Sequence, residues 1–256
     1  MTKVFSFIGG LGWLQKTGLA IFVLIIVVVA GGVSFGFYFV KNQPKAEFWE
    51  AEIVKFEAED EENPPAPGQV LFIGSSSFRF WGSLAEDMAP LPVLNRGFGG
   101  SNLSHATYYA DRIIFPYRPA AIVLYAGDND FSGFEPSVAN DVFEDFKEFV
   151  SVVRTGLADT PIYYVSIKPS KLRWKSWPGM REANDLISAY SNTYENVHFI
   201  DISDTILDKD GALKDDVFIF DGLHLNETGY ARWTDKIKPV LMHDLKEIDL
   251  DAANGP

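Results

Sequence analysis

The chain has no cysteine in its 256 residues. That excludes disulfides, thiolate metal sites and cysteine nucleophiles together. It leaves the compartment open, because a domain with an adequate core needs no disulfide outside the cytoplasm. Basic residues are scarce: 22 Lys and Arg stand against 35 Asp and Glu, a formal charge of -13. Such a surface lacks the positive field that phosphate backbones require, which excludes nucleic acid as a partner. The 4 histidines do not cluster with carboxylates at ligand spacing, so no metal site is expected. There is no internal repeat. Apolar residues, in contrast, make up 47% of the chain, enough for a large core and incompatible with a disordered tail.

Charge is also missing locally. Residues 17–40 carry none, and the stretch 19–30 is almost wholly Ile, Val, Leu and Phe. As a helix this segment spans about 36 Å, enough to cross a hydrocarbon core of about 30 Å. Lys16 and Lys41 flank it, and Phe37, Tyr38 and Phe39 crowd its far end as an aromatic belt does. A transmembrane anchor is expected. The alternative is a cleaved signal peptide with Val28-Val29-Ala30 as its cleavage site, although the apolar run continues beyond Ala30. Lys3 and Lys16 on one side nearly balance Lys41, Lys45 and Lys55 on the other. The short N-terminal flank then favours an N-in orientation, with the large domain extracytoplasmic and, in a bacterium, periplasmic.

The chain thus divides into an N-terminal flank (1–16), the anchor (17–40), a connecting segment (41–68) and a large domain (69–256). Within the connector, Trp49, Ile53 and Phe56 fall at i, i+4, i+7 among glutamates, the spacing of an amphipathic helix over 46–60 that packs on the domain. An acidic run (57–62) overlaps the end of that helix and leads into Asn63-Pro64-Pro65-Ala66-Pro67-Gly68, whose prolines make an acidic, Pro-rich linker before the domain. From Gln69 onward, apolar runs at 70–73, 93–94, 121–125, 162–165 and 197–200 alternate with helical patterns near 80–88, 102–114, 138–157, 180–195 and 227–244. Continuous apolar strands between helices predict a three-layer α/β/α sandwich around a five-stranded parallel sheet, flavodoxin-like in outline.

In such folds ligands bind beyond the carboxyl ends of the strands. Those positions hold Gly74-Ser75-Ser76-Ser77, then Asn95-Arg96-Gly97-Phe98-Gly99-Gly100-Ser101, then Gly127-Asp128-Asn129-Asp130. Asp221-Gly222-Leu223-His224 leads into the last helix. Turns require glycine, but not serine, asparagine and Asp-x-x-His together at one edge. In order and spacing the four blocks resemble those of the SGNH (GDSL-like) hydrolases, with bacterial GDSL-like lipases/acylhydrolases and platelet-activating-factor acetylhydrolase-like esterases as the nearest flavour. The resemblance covers 70–241. One block alone is weak; four in sequence are specific.

The resemblance implies a serine esterase that works without a cofactor. It makes Ser76 the nucleophile, His224 the base and Asp221 the residue that orients the imidazole. It assigns the oxyanion hole to the Ser76 amide, the Gly100 amide and the Asn129 side chain. Where the family commonly reads Gly-Asp-Ser-Leu, this chain reads Gly74-Ser75-Ser76-Ser77, with Ser75 and Ser77 expected as turn or cap residues. Asp128 is expected to hydrogen-bond within its loop or touch substrate. Lys168, Arg173, Trp174 and Trp177, on the same edge, either line an acyl or sugar pocket or simply pack. His105, His198 and His243 sit in helical or strand patterns and read as structural. Substrates implied are short-acyl, O-acetyl-glycan or lysolipid esters. Two rival readings stay open: acyl transfer to a glycan or lipid acceptor, and a non-catalytic, membrane-tethered binding domain.

Overall fold

The computed structural model describes residues 45–132 and 138–245, and the segment expected to span a membrane lies outside them. Among the described residues no helix is long and apolar enough to cross a membrane. Five strands, β1 (Val70–Gly74), β2 (Val93–Gly97), β3 (Ala121–Tyr125), β4 (Ile162–Val165) and β5 (Val197–Ile200), form one sheet. Their order is β2-β1-β3-β4-β5, and every pairing is parallel. Parallel strands need crossovers, and here the crossover helices cover both faces.

Side chains alternate across each strand. Leu71, Ile73, Ile122, Leu124, Ile162 and Tyr164 join one core. Val70, Phe72, Val123, Tyr125, Tyr163 and Val165 join the other. The first core is roofed by α1 (Glu50–Glu62), α4 (Leu103–Tyr108), α5 (Ala110–Ile113), α6 (Ala139–Gly156) and α7 (Trp177–Ser191). The second is covered by α2 (Ser76–Arg79), α3 (Leu84–Met88), α8 (Ser203–Ile206) and α9 (Glu227–Asp244). The α/β fold with a five-stranded parallel sheet is therefore as the sequence predicts.

Three local differences stand out. β2 runs on through the polar Asn95 and Arg96, because its register with β1 continues to Gly74↔Gly97. The single helix expected over 80–88 is two short ones, α2 starting directly at Ser76 and α3 at Leu84. The helix expected to end at residue 60 runs on to Glu62, through the whole acidic run. Glu57, Glu59 and Asp60 of the run have basic partners. Glu57 and Glu50 flank Arg112, and Asp60 takes hydrogen bonds from Arg96 and from the Tyr117 hydroxyl (2.5 Å). Trp49, in a 3-10 turn at Ala46–Trp49, and Ile53 and Phe56 of α1 are all buried in the first core.

Arg96 is itself buried, stacked on Phe56 and Tyr117, so Asp60 supplies the opposite charge it needs in the interior. Asp60→Asn is expected to lower unfolding stability by roughly 2–3 kcal/mol. Glu59→Gln, which removes only an exposed pair with Lys55, is expected to cost at most about 0.5 kcal/mol. Urea unfolding of the two variants checks this; equal effects would show that the buried pair does not hold α1 in place.

Candidate active site

The strand register brings the site together. Gly74 lies level with Gly97 on one side and Tyr125 on the other, so the loops after β1, β2 and β3 leave the sheet in one row. Gly74 has φ +134, and a Cβ there would sit 1.9 Å from the Tyr125 carbonyl oxygen, so only glycine lets the chain turn this close to β3. The turn ends at Ser75, and Ser76 opens α2.

The Ser76 hydroxyl lies 2.8 Å from His224 Nε2, across 148 positions of sequence. On the other side of the ring, His224 Nδ1 lies 2.6 Å from Asp221 Oδ2. Asp221 Oδ1 accepts the amides of Leu223 (2.8 Å) and His224 (2.9 Å), so the loop fixes its own carboxylate. Burial pushes the Asp221 carboxyl up, but the bond to His224 and the two amides outweigh it and hold the group below the usual carboxylate range. With the carboxylate ionised, Nδ1 carries the ring proton and Nε2 is left free to accept one from the hydroxyl. Phe80 packs edge-on against the His224 ring, with centroids 4.8 Å apart. A hydroxyl, an imidazole and a carboxylate in this chain can perform nucleophilic chemistry with proton transfer through the ring.

The second half of the site is a buried polar cluster. Asn129 donates through Nδ2 to the Ser101 carbonyl (2.9 Å), which ties the β3 loop to the loop carrying Gly100. Its Oδ1 accepts from Arg173 Nη2 (2.7 Å), while Arg173 Nη1 donates to Asp128 Oδ2 (2.9 Å). The guanidinium thereby sets which end of the Asn129 carboxamide points away from it. Sequence reasoning placed Arg173 at this edge among pocket candidates; its two partners here are protein side chains. Asp128 also accepts from the Ser75 hydroxyl at 3.5 Å.

Lys168 is buried with its ammonium 3.8 Å from Asp128 Oδ2, a charge contact too long for a hydrogen bond, and 5.9 Å from the centre of the Tyr125 ring. Burial pushes the Asp128 carboxyl up, and Arg173 and Lys168 more than reverse this, so it is held low. Asp130 is buried too, and burial with Asp145 and Asp128 nearby raises its carboxyl to about 7.

Trp174 is part-exposed at 41%, whereas Trp177 starts α7 and lies with the first core. His105 Nδ1 accepts the Asn102 amide, His198 stacks on Tyr163, and His243 pairs with Asp244. Among the described residues no group of His, Asp and Glu is arranged to hold a metal ion. One residue that sequence reasoning did not associate with the site is Trp49, whose indole reaches the loop after β2; its only sequence signal was its place on an apolar stripe.

Comparison with known proteins agrees with this architecture. Residues 70–232 match the GDSL-like Lipase/Acylhydrolase family, and the chain belongs to that SGNH family of ester hydrolases. Among solved structures, it resembles a protein from Streptococcus pneumonia described with the words platelet activating factor. That pair is 22% identical, with TM-score 0.64 over 75% of this chain and 92% of the other. A GDSL-like lipase from Bacteroides thetaiotaomicron is 17% identical, with TM-score 0.64 over 76% of this chain and 99% of the other. A carbohydrate esterase family 3 protein from Talaromyces cellulolyticus is 14% identical, with TM-score 0.57 over 70% and 99%. At these identities the likeness is one of fold. No curated protein matches the sequence.

The buried lysine makes stability depend on pH. Burial brings the Lys168 ammonium down from 10.5 to about 8, with Asp128 opposing and Arg173 adding to the shift. Between pH 8 and 10.5 the unfolded chain keeps a proton that the folded chain has released, so this group makes stability rise with pH across that window and contributes no slope below it. Lys168→Met is expected to remove a slope of up to about 1.4 kcal/mol per pH unit. Urea midpoints of wild type and variant at pH 7, 8 and 9 test this; parallel pH dependences would contradict it.

Proposed function

We propose that the chain is a serine esterase acting through a covalent acyl-enzyme. The observation that carries this reading is the hydrogen-bonded line from the Ser76 hydroxyl through His224 to Asp221 at the carboxyl edge of a GDSL-family sheet. Ser76 Oγ attacks the ester carbonyl carbon as His224 Nε2 takes its proton, and Asp221 stabilises the imidazolium that forms. The tetrahedral oxyanion is held by the amides of Ser76 and Gly100 and by the Asn129 carboxamide. The intermediate collapses with loss of the alcohol, to which His224 returns the proton. Water then attacks the acyl-Ser76 by the same route and releases the acid. The reaction needs no cofactor.

The substrate we favour is an ester of a small acyl group, such as an O-acetyl group on a glycan. Supporting it are the absence of a long apolar lid among the described residues and the fold shared with a carbohydrate esterase. The uncharged segment 17–40 supports a chain held at a membrane with the enzyme on its extracytoplasmic side. If a glycan hydroxyl replaces water, the same residues perform acyl transfer.

The test is hydrolysis of p-nitrophenyl esters of graded acyl length by the full chain in detergent. Ser76→Ala should fall to background, a loss of about 10,000-fold or more. Asn129→Ala should lose about 100-fold, mainly in kcat. The acetyl ester should be turned over faster than the longer ones. Activity surviving Ser76→Ala would overturn the assignment, and a preference for long acyl chains would overturn the substrate.

A further inference from the structure

A segment outside the family's own span reaches into the site. Trp49 precedes α1 and lies 21 positions before the family match begins at residue 70, yet its indole Nε1 donates a 2.8 Å hydrogen bond to the carbonyl oxygen of Gly99. The indole is 3% exposed, packed against Phe98 with ring centroids 6.2 Å apart and against His105 with centroids 4.2 Å apart. Gly99 itself abuts the nucleophile turn, since a Cβ placed on it would lie 3.7 Å from Ser76 Cβ.

The Gly99 carbonyl and the Gly100 N–H belong to one peptide group. A trans peptide is planar, so its C=O and N–H point in opposite directions. A donor that fixes the carbonyl therefore fixes the direction of the amide. Gly100 has φ +78, a conformation that no Cβ stabilises, and glycine on both sides leaves this peptide free to rotate unless something holds it. Among the described residues no protein acceptor takes the Gly100 N–H. A hydrogen bond at the carbonyl also polarises the peptide and strengthens its N–H as a donor.

We infer that Trp49 is a positioning residue: its indole N–H locks the Gly99–Gly100 peptide plane so that the Gly100 amide is presented to the oxyanion. This rests on the reading of Gly100 as an oxyanion donor. Glu52, one helical turn further along, lies 3.4 Å from Arg79 of α2, so the same pre-domain segment touches both the oxyanion loop and the helix that Ser76 opens. The connecting helix is thus part of the enzyme.

Trp49→Phe keeps an aromatic ring in the core while deleting the donor; it also trims the bicyclic indole to one ring, and the packing loss this brings is controlled by a second variant. With the full chain, kcat should fall about ten-fold while KM stays within about two-fold, because an oxyanion donor acts in the transition state. Ile53→Ala loosens the same helix without touching the hydrogen bond; it should lower the thermal midpoint and leave kcat unchanged at temperatures where both variants are folded. An unchanged kcat in Trp49→Phe, a change confined to KM, or an equal kcat loss in Ile53→Ala would each overturn the inference. A readout free of turnover separates it from the esterase reading. The Gly100 amide 15N resonance should move upfield in Trp49→Phe, because a carbonyl that loses a hydrogen bond shields the next nitrogen. If wild type fails to hydrolyse esters, the esterase reading falls, and the Gly100 resonance alone decides whether Trp49 holds the peptide.

Discussion

Parallel strands in register end together, and this constraint places the chemistry. With Gly74 level with both Gly97 and Tyr125, three loops leave the sheet along one line, and residues far apart in sequence meet there without a long excursion of chain. Both faces of that sheet are covered, one by α1, α4, α5, α6 and α7, the other by α2, α3, α8 and α9, as an all-parallel sheet requires. Gly74 completes the register: any side chain there would collide with the β3 backbone and push the first loop out of line.

Above that edge the polar groups fall into two linked sets. One is the line of Ser76, His224 and Asp221, in which a carboxylate held low by two backbone amides keeps the imidazole ready to accept a proton. The other is the cluster of Asp128, Lys168, Arg173 and Asn129, where two cations surround one buried carboxylate and Arg173 grips the asparagine. Burial alone pushes the Asp128 carboxyl up; two cations more than reverse this, and the carboxylate in turn holds Arg173 against Asn129. The placement of these side chains and the stability of the fold thus share the same hydrogen bonds at this edge.

Much of this was legible in the sequence, for reasons that can be named. The strands announced themselves because a doubly covered sheet demands unbroken apolar runs. The serine turn and the Asp221-x-x-His224 block stood out because a turn has no need of those residue types, and the family resemblance then singled out Ser76 among three adjacent serines. Less visible was whatever depended on pairing across distance. Asn95 and Arg96 looked like loop, but the β1 register and the Asp60 charge keep them in strand. The acidic run after Phe56 did not show in sequence the partners of Asp60 and Glu57, because Arg96 and Arg112, which pair with them, lie far along the chain. Trp49 read only as core, since its partner is the backbone carbonyl of a glycine, which has no side chain to reveal the contact.

The proposed chemistry requires His224 to activate one serine of three adjacent ones. Reaction with a fluorophosphonate, followed by peptide mass mapping, tests it most directly. A single adduct should form on Ser76 and disappear in His224→Gln. Labelling of Ser75 or Ser77 instead, or labelling undiminished in the histidine variant, would contradict it.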